Sequence, residues 1–155
     1  MKNVYDNEMN LKFTSKSSNE SFARIAVSAF VASLDPTIEE ISDIKTAVSE
    51  AVTNAIIHGY EEKDGIVEIN CKIIKDLVSI EIIDNGKGIE DVKKARQALY
   101  TTKPELERSG MGFTIMESFM DDLKIESKIG QGTKVTMKKK INVTQDEGEL
   151  LYVRN

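Results

Sequence analysis

The sequence has no tryptophan, one cysteine, one histidine and two prolines. With no second thiol, Cys71 cannot close an internal disulfide, and its place in an apolar run reads as packing. A single histidine, His58, leaves zinc without a plausible ligand set. No apolar stretch approaches the ~20 residues that span a bilayer. The start, Met1 to Asp6, carries no apolar leader segment, so a cytoplasmic location is expected. Positive charge is also scarce: the formal net charge is -5 and there is no long basic run. Nucleic acid and anionic membrane are therefore poor partners for this surface. What is present is ordinary for a soluble protein, with 155 residues, 40% hydrophobic and 30% charged. One domain is expected over residues 1–142, followed by a polar, acidic tail over 143–155.

The chain alternates between the two hydrophobic periods. Met9, Leu11 and Phe13 alternate with polar neighbours, as in a strand. Ser17, Ser18 and Asn19 offer helix-starting oxygens, and Phe22, Ile25, Ala26, Ala29 and Phe30 form an apolar helical stripe. Asp35-Pro36 ends that helix, and Thr37 with Glu40 reads as a capping box for a second one reaching about His58. Its core stripe is Ile41, Ile44, Ala47, Val48, Ala51, Val52 and Ala55, and Gly59 is placed to terminate it. Strands are expected at Val67–Ile74 and Val78–Ile83, around a turn at Lys75-Asp76. From Ile89 to Arg108 the pattern weakens to one short helix near Asp91–Ala98 and a polar stretch, the profile of a lid. A helix from Phe113 to Met120 and strands at Leu123–Ser127 and Thr133–Ile141 complete the order. Helices on one face of a mostly antiparallel sheet follow, an α+β two-layer sandwich.

Four short motifs can carry chemistry, and each alone also fits a plain structural reading. Glu50 and Asn54 lie four residues apart, on one helical face that His58 continues. A carboxylate there can take a proton from a hydroxyl, and an amide oxygen can ligate Mg²⁺. A solvated helix face would look the same. Asp84-Asn85-Gly86-Lys87-Gly88 follows an apolar strand. Its acid can accept from an exocyclic amine, while Gly86 and Gly88 allow positive φ and close approach to a flat ring. It is equally a turn. Gly110-Met111-Gly112-Phe113 opens a helix, whose free N–H groups favour phosphate. Gly130-Gln131-Gly132-Thr133 enters the last strand, with a hydroxyl that can meet a base near Asp84, or simply turns a hairpin. The Lys-Ser/Thr phosphate loop, the dinucleotide glycine pattern and the protein-kinase motif set are all missing.

The order of these four motifs resembles the gyrase, heat-shock chaperone, histidine-kinase and MutL ATPase superfamily over roughly residues 8–141. Three longer stretches, 18–24, 49–60 and 101–113, are similar to the bacterial sporulation anti-sigma F factors. The resemblance implies a Bergerat-type ATP-binding fold and a homodimeric serine protein kinase. Such a protein holds a sporulation sigma factor inactive and phosphorylates a serine of an anti-anti-sigma factor with Mg-ATP. It implies Glu50 as general base, Asn54 as Mg²⁺ ligand, and Asp84 and Thr133 as adenine contacts with Gly88 alongside. Gly110, Met111, Gly112 and Phe113 correspond to the phosphate-binding turn, Arg108 to a γ-phosphate or partner contact, and Arg24 to a sigma and anti-anti-sigma contact. Residues 143–155 have no counterpart in that pattern.

Three other readings remain. A conformational ATPase would use Glu50 to activate water, but such proteins carry a further transducer domain. A general-stress anti-sigma kinase shares fold and mechanism. A nucleotide-dependent sigma-binding module without transfer would have no need of the Glu50 acid.

Overall fold

A computed structural model of the chain describes residues 5–97 and 112–142. Five strands, β1 (Asn7–Thr14), β2 (Ile66–Ile74), β3 (Leu77–Asp84), β4 (Asp122–Lys128) and β5 (Gly132–Lys140), form one sheet in the order β1-β2-β3-β5-β4. Every neighbouring pair is antiparallel. The helices are α1 (Ser18–Val31), α2 (Ile38–Asn54), the short α3 (Val92–Ala95) and α4 (Gly112–Phe119). The expected α+β two-layer architecture is present; of the expected lid over 89–108, residues 98–108 lie outside the described residues, as does 143–155.

Strict alternation along the strands builds two different faces. Across the sheet the register aligns Leu11, Ile69, Ile82, Val135 and Ile125 in one row and Met9, Cys71, Ile80, Met137 and Leu123 in the next. These rows meet the helices and form the core with Ile44, Ala47, Val48, Ala51 and Val52 of α2. Cys71 is fully buried among them, and burial pushes its thiol up to about 12, so it stays a neutral packing group as expected. The opposite face is polar, with Glu81 reaching both Lys72 and Lys134, and Lys134 also reaching Glu126.

The second helix matches its sequence closely. Thr37 Oγ1 accepts from the Glu40 N–H at 3.0 Å while Glu40 Oε1 accepts from the Thr37 N–H at 2.9 Å, closing the capping box. The other oxygen of Glu40 accepts from the Asn142 N–H at 2.8 Å, tying the end of β5 to the start of α2. At its far end α2 widens into one π-helical turn, Ala55–Gly59.

The first helix differs from expectation. Its buried residues are Ala23, Val27 and Val31, whereas Phe22 and Ile25 of the expected stripe are 50% and 60% exposed. The helix is apolar on two adjoining faces, so its spacing fits two stripes about 100° apart. The smaller residues turn inward because α1 packs closely on α2. Phe22 instead lies edge-on against Phe13, with centroids 6.5 Å apart. Nor does Ser17 cap α1 through its side chain, and Asn19 donates backward to the Thr14 carbonyl at 2.9 Å.

Ile80 sits fully buried on the central strand. Ile80→Ala is expected to lower the unfolding free energy by about 2–5 kcal/mol, read from urea unfolding at constant slope. A loss well under that range would show that the sheet and α2 collapse onto the gap.

Candidate functional site

The core rows stop one step short of the end of the sheet. In the last inward-facing row Asp84 pairs with Thr133, and Thr133 pairs with Ser127, so three apolar positions are replaced by polar ones. Asp84 and Thr133 are both buried. Above this row, between α2, the segment after β3 and the start of α4, lies a cavity of about 960 Å³. That is the upper part of the range for small-molecule sites. Ala51, Ala55, Ile82 and Val135 give it apolar walls, and Asn54, His58, Asp84 and Thr133 give it polar ones.

Backbone contacts set the position of Asp84. The Lys87 N–H donates to the Gly59 carbonyl at 2.9 Å, docking the segment after β3 on the end of the π turn. A side chain on Gly86 would meet the Gly59 oxygen at 2.0 Å, and one on Gly59 would meet the Asp84 carboxyl at 2.8 Å. Both glycines are needed because two backbones and a carboxylate share the space of ordinary side chains. The hydroxyl of Tyr60 completes the clamp, accepting from the Asn85 N–H at 2.7 Å and donating to the Ile66 carbonyl at 2.5 Å.

Burial pushes the Asp84 carboxyl above its ordinary range, while hydrogen bonds from the backbone N–H groups of Gly86 and Thr133 pull the other way. The Gly86 N–H lies 2.9 Å from Oδ1. The net effect is a carboxyl held above its ordinary range, for which a hydrogen-bond donor in the cavity would be a favourable partner.

The sequence-derived candidates divide by place. Asn54, Asp84, Gly88, Gly112, Phe113 and Thr133 line this cavity together. Gly88 has φ +78, as its predicted freedom requires, and a side chain there would strike the Lys128 carbonyl at 2.2 Å. Glu50 is not among the residues that line the cavity; it lies behind Gly112, where an added Cβ would be 3.3 Å from Glu50 Oε2 and 3.1 Å from Asn54 Nδ2. The start of α4 thus covers the Glu50–Asn54 pair closely, so that a side chain at 112 would be tight against both. Gly86 does not line the cavity, since its bare α-carbon faces Gly59 and not a ligand. Arg24 is elsewhere, half-exposed on α1, where it donates to Ser21 Oγ at 3.0 Å and faces Glu20. Arg108, Gly110 and Met111 lie outside the described residues.

Two contributors were not picked out from the sequence. Tyr60 carries no motif signal beyond following Gly59. Ser127 does carry one, as the polar third member of an inward series whose first two are Leu123 and Ile125.

The chain matches a model of the histidine kinase-like ATPase domain over residues 13–139. It is 65% identical to an anti-sigma F factor of Clostridium botulinum over 141 residues, covering 90% of this chain and 99% of that one. It is 61% identical to that of Clostridium acetobutylicum over 144 residues, covering 92% and 100%. The chain belongs to the anti-sigma F factor family. Among solved structures it is similar to the RsbU and RsbW domains of a Mycobacterium tuberculosis protein, with a TM-score of 0.62 and 19% identity. That match covers 87% of this chain and 32% of the longer one. A blue-light activated histidine kinase of Erythrobacter litoralis gives 0.56 at 18% identity, covering 77% and 41%. At these identities the likeness is one of fold. The family and these neighbours share the ATPase-domain architecture in which the cavity was found.

The raised acid of Asp84 has a consequence for stability. In the unfolded chain an aspartate titrates near ~3.9. Below that value the carboxyl is protonated in both states and costs nothing. As pH rises through the higher folded value, the ionised form increasingly disfavours the fold. Asp84→Asn is therefore expected to raise the thermal midpoint of the empty protein at neutral pH, by an amount that shrinks on acidification. Thermal unfolding of both proteins between pH 8 and 4.5 checks this, and a pH-independent difference would contradict it.

Proposed function

We propose that the chain is an anti-sigma factor that binds ATP in this cavity and phosphorylates a serine of an anti-anti-sigma protein. The observation that carries the reading is the convergence of Asn54 and the buried Asp84–Thr133 row on one cavity, with Glu50 beside Asn54 at the start of α4. Near full-length identity of 61–65% to anti-sigma F factors supports the sigma-binding part. On this reading the apolar walls take the purine, and Asp84 accepts from its exocyclic amine. The phosphates extend toward the start of α4, where free N–H groups favour negative charge.

Among the described residues no group of three or more histidine, cysteine, aspartate or glutamate side chains could hold a metal. Asn54, which lines the cavity, would offer Mg²⁺ one amide oxygen, leaving phosphate and water to supply the others. The ion, when bound, neutralises phosphate charge. Glu50 orients the incoming serine hydroxyl and accepts its proton as the serine oxygen bonds to the γ-phosphorus and the bond to the β–γ bridging oxygen breaks, releasing ADP. Arg24, on α1 and away from the cavity, is assigned to contact with the sigma factor and the anti-anti-sigma protein. Arg108, Gly110 and Met111 are assigned to the phosphate end. A homodimer, a sporulation sigma factor and a cytoplasmic setting belong to the same proposal. The alternatives are a general-stress sigma factor as partner and a nucleotide-dependent sigma-binding module without transfer.

Labelled ATP and a candidate anti-anti-sigma protein test the kinase. Serine labelling is expected with the native chain. Glu50→Gln is expected to keep nucleotide affinity and to lose transfer by roughly a hundredfold or more. Undiminished labelling by the variant would remove Glu50 from its role, and free phosphate without labelled serine would make the chain an ATPase.

A further inference from the structure

Ser127 lies on β4 beside Thr133 and contributes nothing to the lining of the cavity. Yet its single hydroxyl meets three groups. The Ile89 N–H donates to its Oγ at 2.7 Å, the Gly132 carbonyl lies 3.1 Å away, and Thr133 Oγ1 lies 2.8 Å away. A serine hydroxyl has one proton and two lone pairs. The Gly132 carbonyl can only accept, and the Ile89 N–H can only donate. One arrangement satisfies all three contacts: Ser127 donates to Gly132, while Ile89 and Thr133 both donate to Ser127. The Thr133 proton is then committed backward, into the sheet.

What faces the cavity is decided by that commitment. Thr133 presents only lone pairs, next to an Asp84 carboxylate whose partners are themselves backbone N–H groups. Two acceptors therefore stand side by side at the end of the cavity, in adjacent cross-strand positions. An adenine amine has two protons to give them. Guanine carries an acceptor oxygen at the same position of the ring, and it would find no donor. An unmatched buried polar group of this kind discriminates strongly.

We propose that Ser127 is a positioning residue that fixes the direction of the Thr133 hydroxyl and thereby the preference of this cavity for an amine-bearing purine. The inference rests on the nucleotide reading above. Without the Ser127 hydroxyl, Thr133 is free to turn its proton toward the cavity and donate to a guanine oxygen.

The test measures the affinities of ATP and GTP for the full chain and its variants by titration calorimetry. Ser127→Ala is expected to weaken ATP, strengthen GTP and reduce the preference between them roughly tenfold, about one hydrogen bond's worth. Thr133→Val removes the hydroxyl altogether. It is expected to weaken ATP without any gain for GTP, and combined with Ser127→Ala it should abolish the GTP gain. Ser127→Thr, which keeps the hydroxyl, should restore the native ratio even where Ser127→Ala costs thermal stability. A merely structural serine would weaken both nucleotides alike, and an unchanged ATP-to-GTP ratio in Ser127→Ala overturns the inference while leaving the nucleotide site intact. Failure of the native chain to bind either nucleotide overturns the proposed function and this inference with it.

Discussion

A carboxylate buried at the end of a central strand is the constraint around which this molecule is arranged. Asp84 occupies a position that, by the alternation of β3, belongs to the core, and burial there opposes its charge. The fold offsets that cost with backbone N–H groups from Gly86 and Thr133, which are supplied by the chain turning at Gly86 and by β5 running alongside. The compensation is incomplete, because burial still holds the carboxyl above its ordinary range. A perturbed acid lining a cavity is a feature of functional sites.

The neighbouring features follow from holding that acid in place. The widened π turn at the end of α2 brings the Gly59 carbonyl to the Lys87 N–H, and glycine at 59 and 86 lets the two segments touch. Single π turns of this sort recur at functional sites because they shift the helix end without breaking it. Tyr60 then locks the exit of β3 to the start of β2 through one hydroxyl. None of these contacts involves Asn54, which lines the cavity from the end of α2, or Glu50 one turn before it. The glycine start of α4 covers that pair. The Asp84–Thr133 row and the Glu50–Asn54 pair are thus held by separate parts of the fold, joined through α2.

Legibility varied with how local the deciding interaction was. The capping box at Thr37 and Glu40 and the stripe from Ile44 to Val52 were readable because both depend on residues within a few positions of each other. The strands were readable from alternation, with boundaries off by one or two residues. The first helix was not, since Phe22, Ile25 and their neighbours form as good a stripe as Ala23, Val27 and Val31. Only the close approach of α2 selects the smaller set. At the site, Asn54, Asp84, Gly88, Gly112, Phe113 and Thr133 were identified from motifs and do converge on one cavity. Gly86 was expected to use positive φ and to approach a flat ring; it does neither, and its bare α-carbon instead packs on the Gly59 backbone.

By itself, then, the sequence determined which segments become helix and strand, and that an acid would stand at the end of the strand closing at Asp84. These follow from periodicity, capping and turn chemistry, all of which act over a few residues. Tertiary structure decided which apolar face of α1 turns inward and what each glycine touches. It also decided that Ser127 stands behind Thr133. Those outcomes depend on strand order and register: β5 is inserted between β3 and β4, so residues distant in sequence share one row. A hydroxyl's proton direction is settled by three neighbours from three segments, and no local pattern contains them.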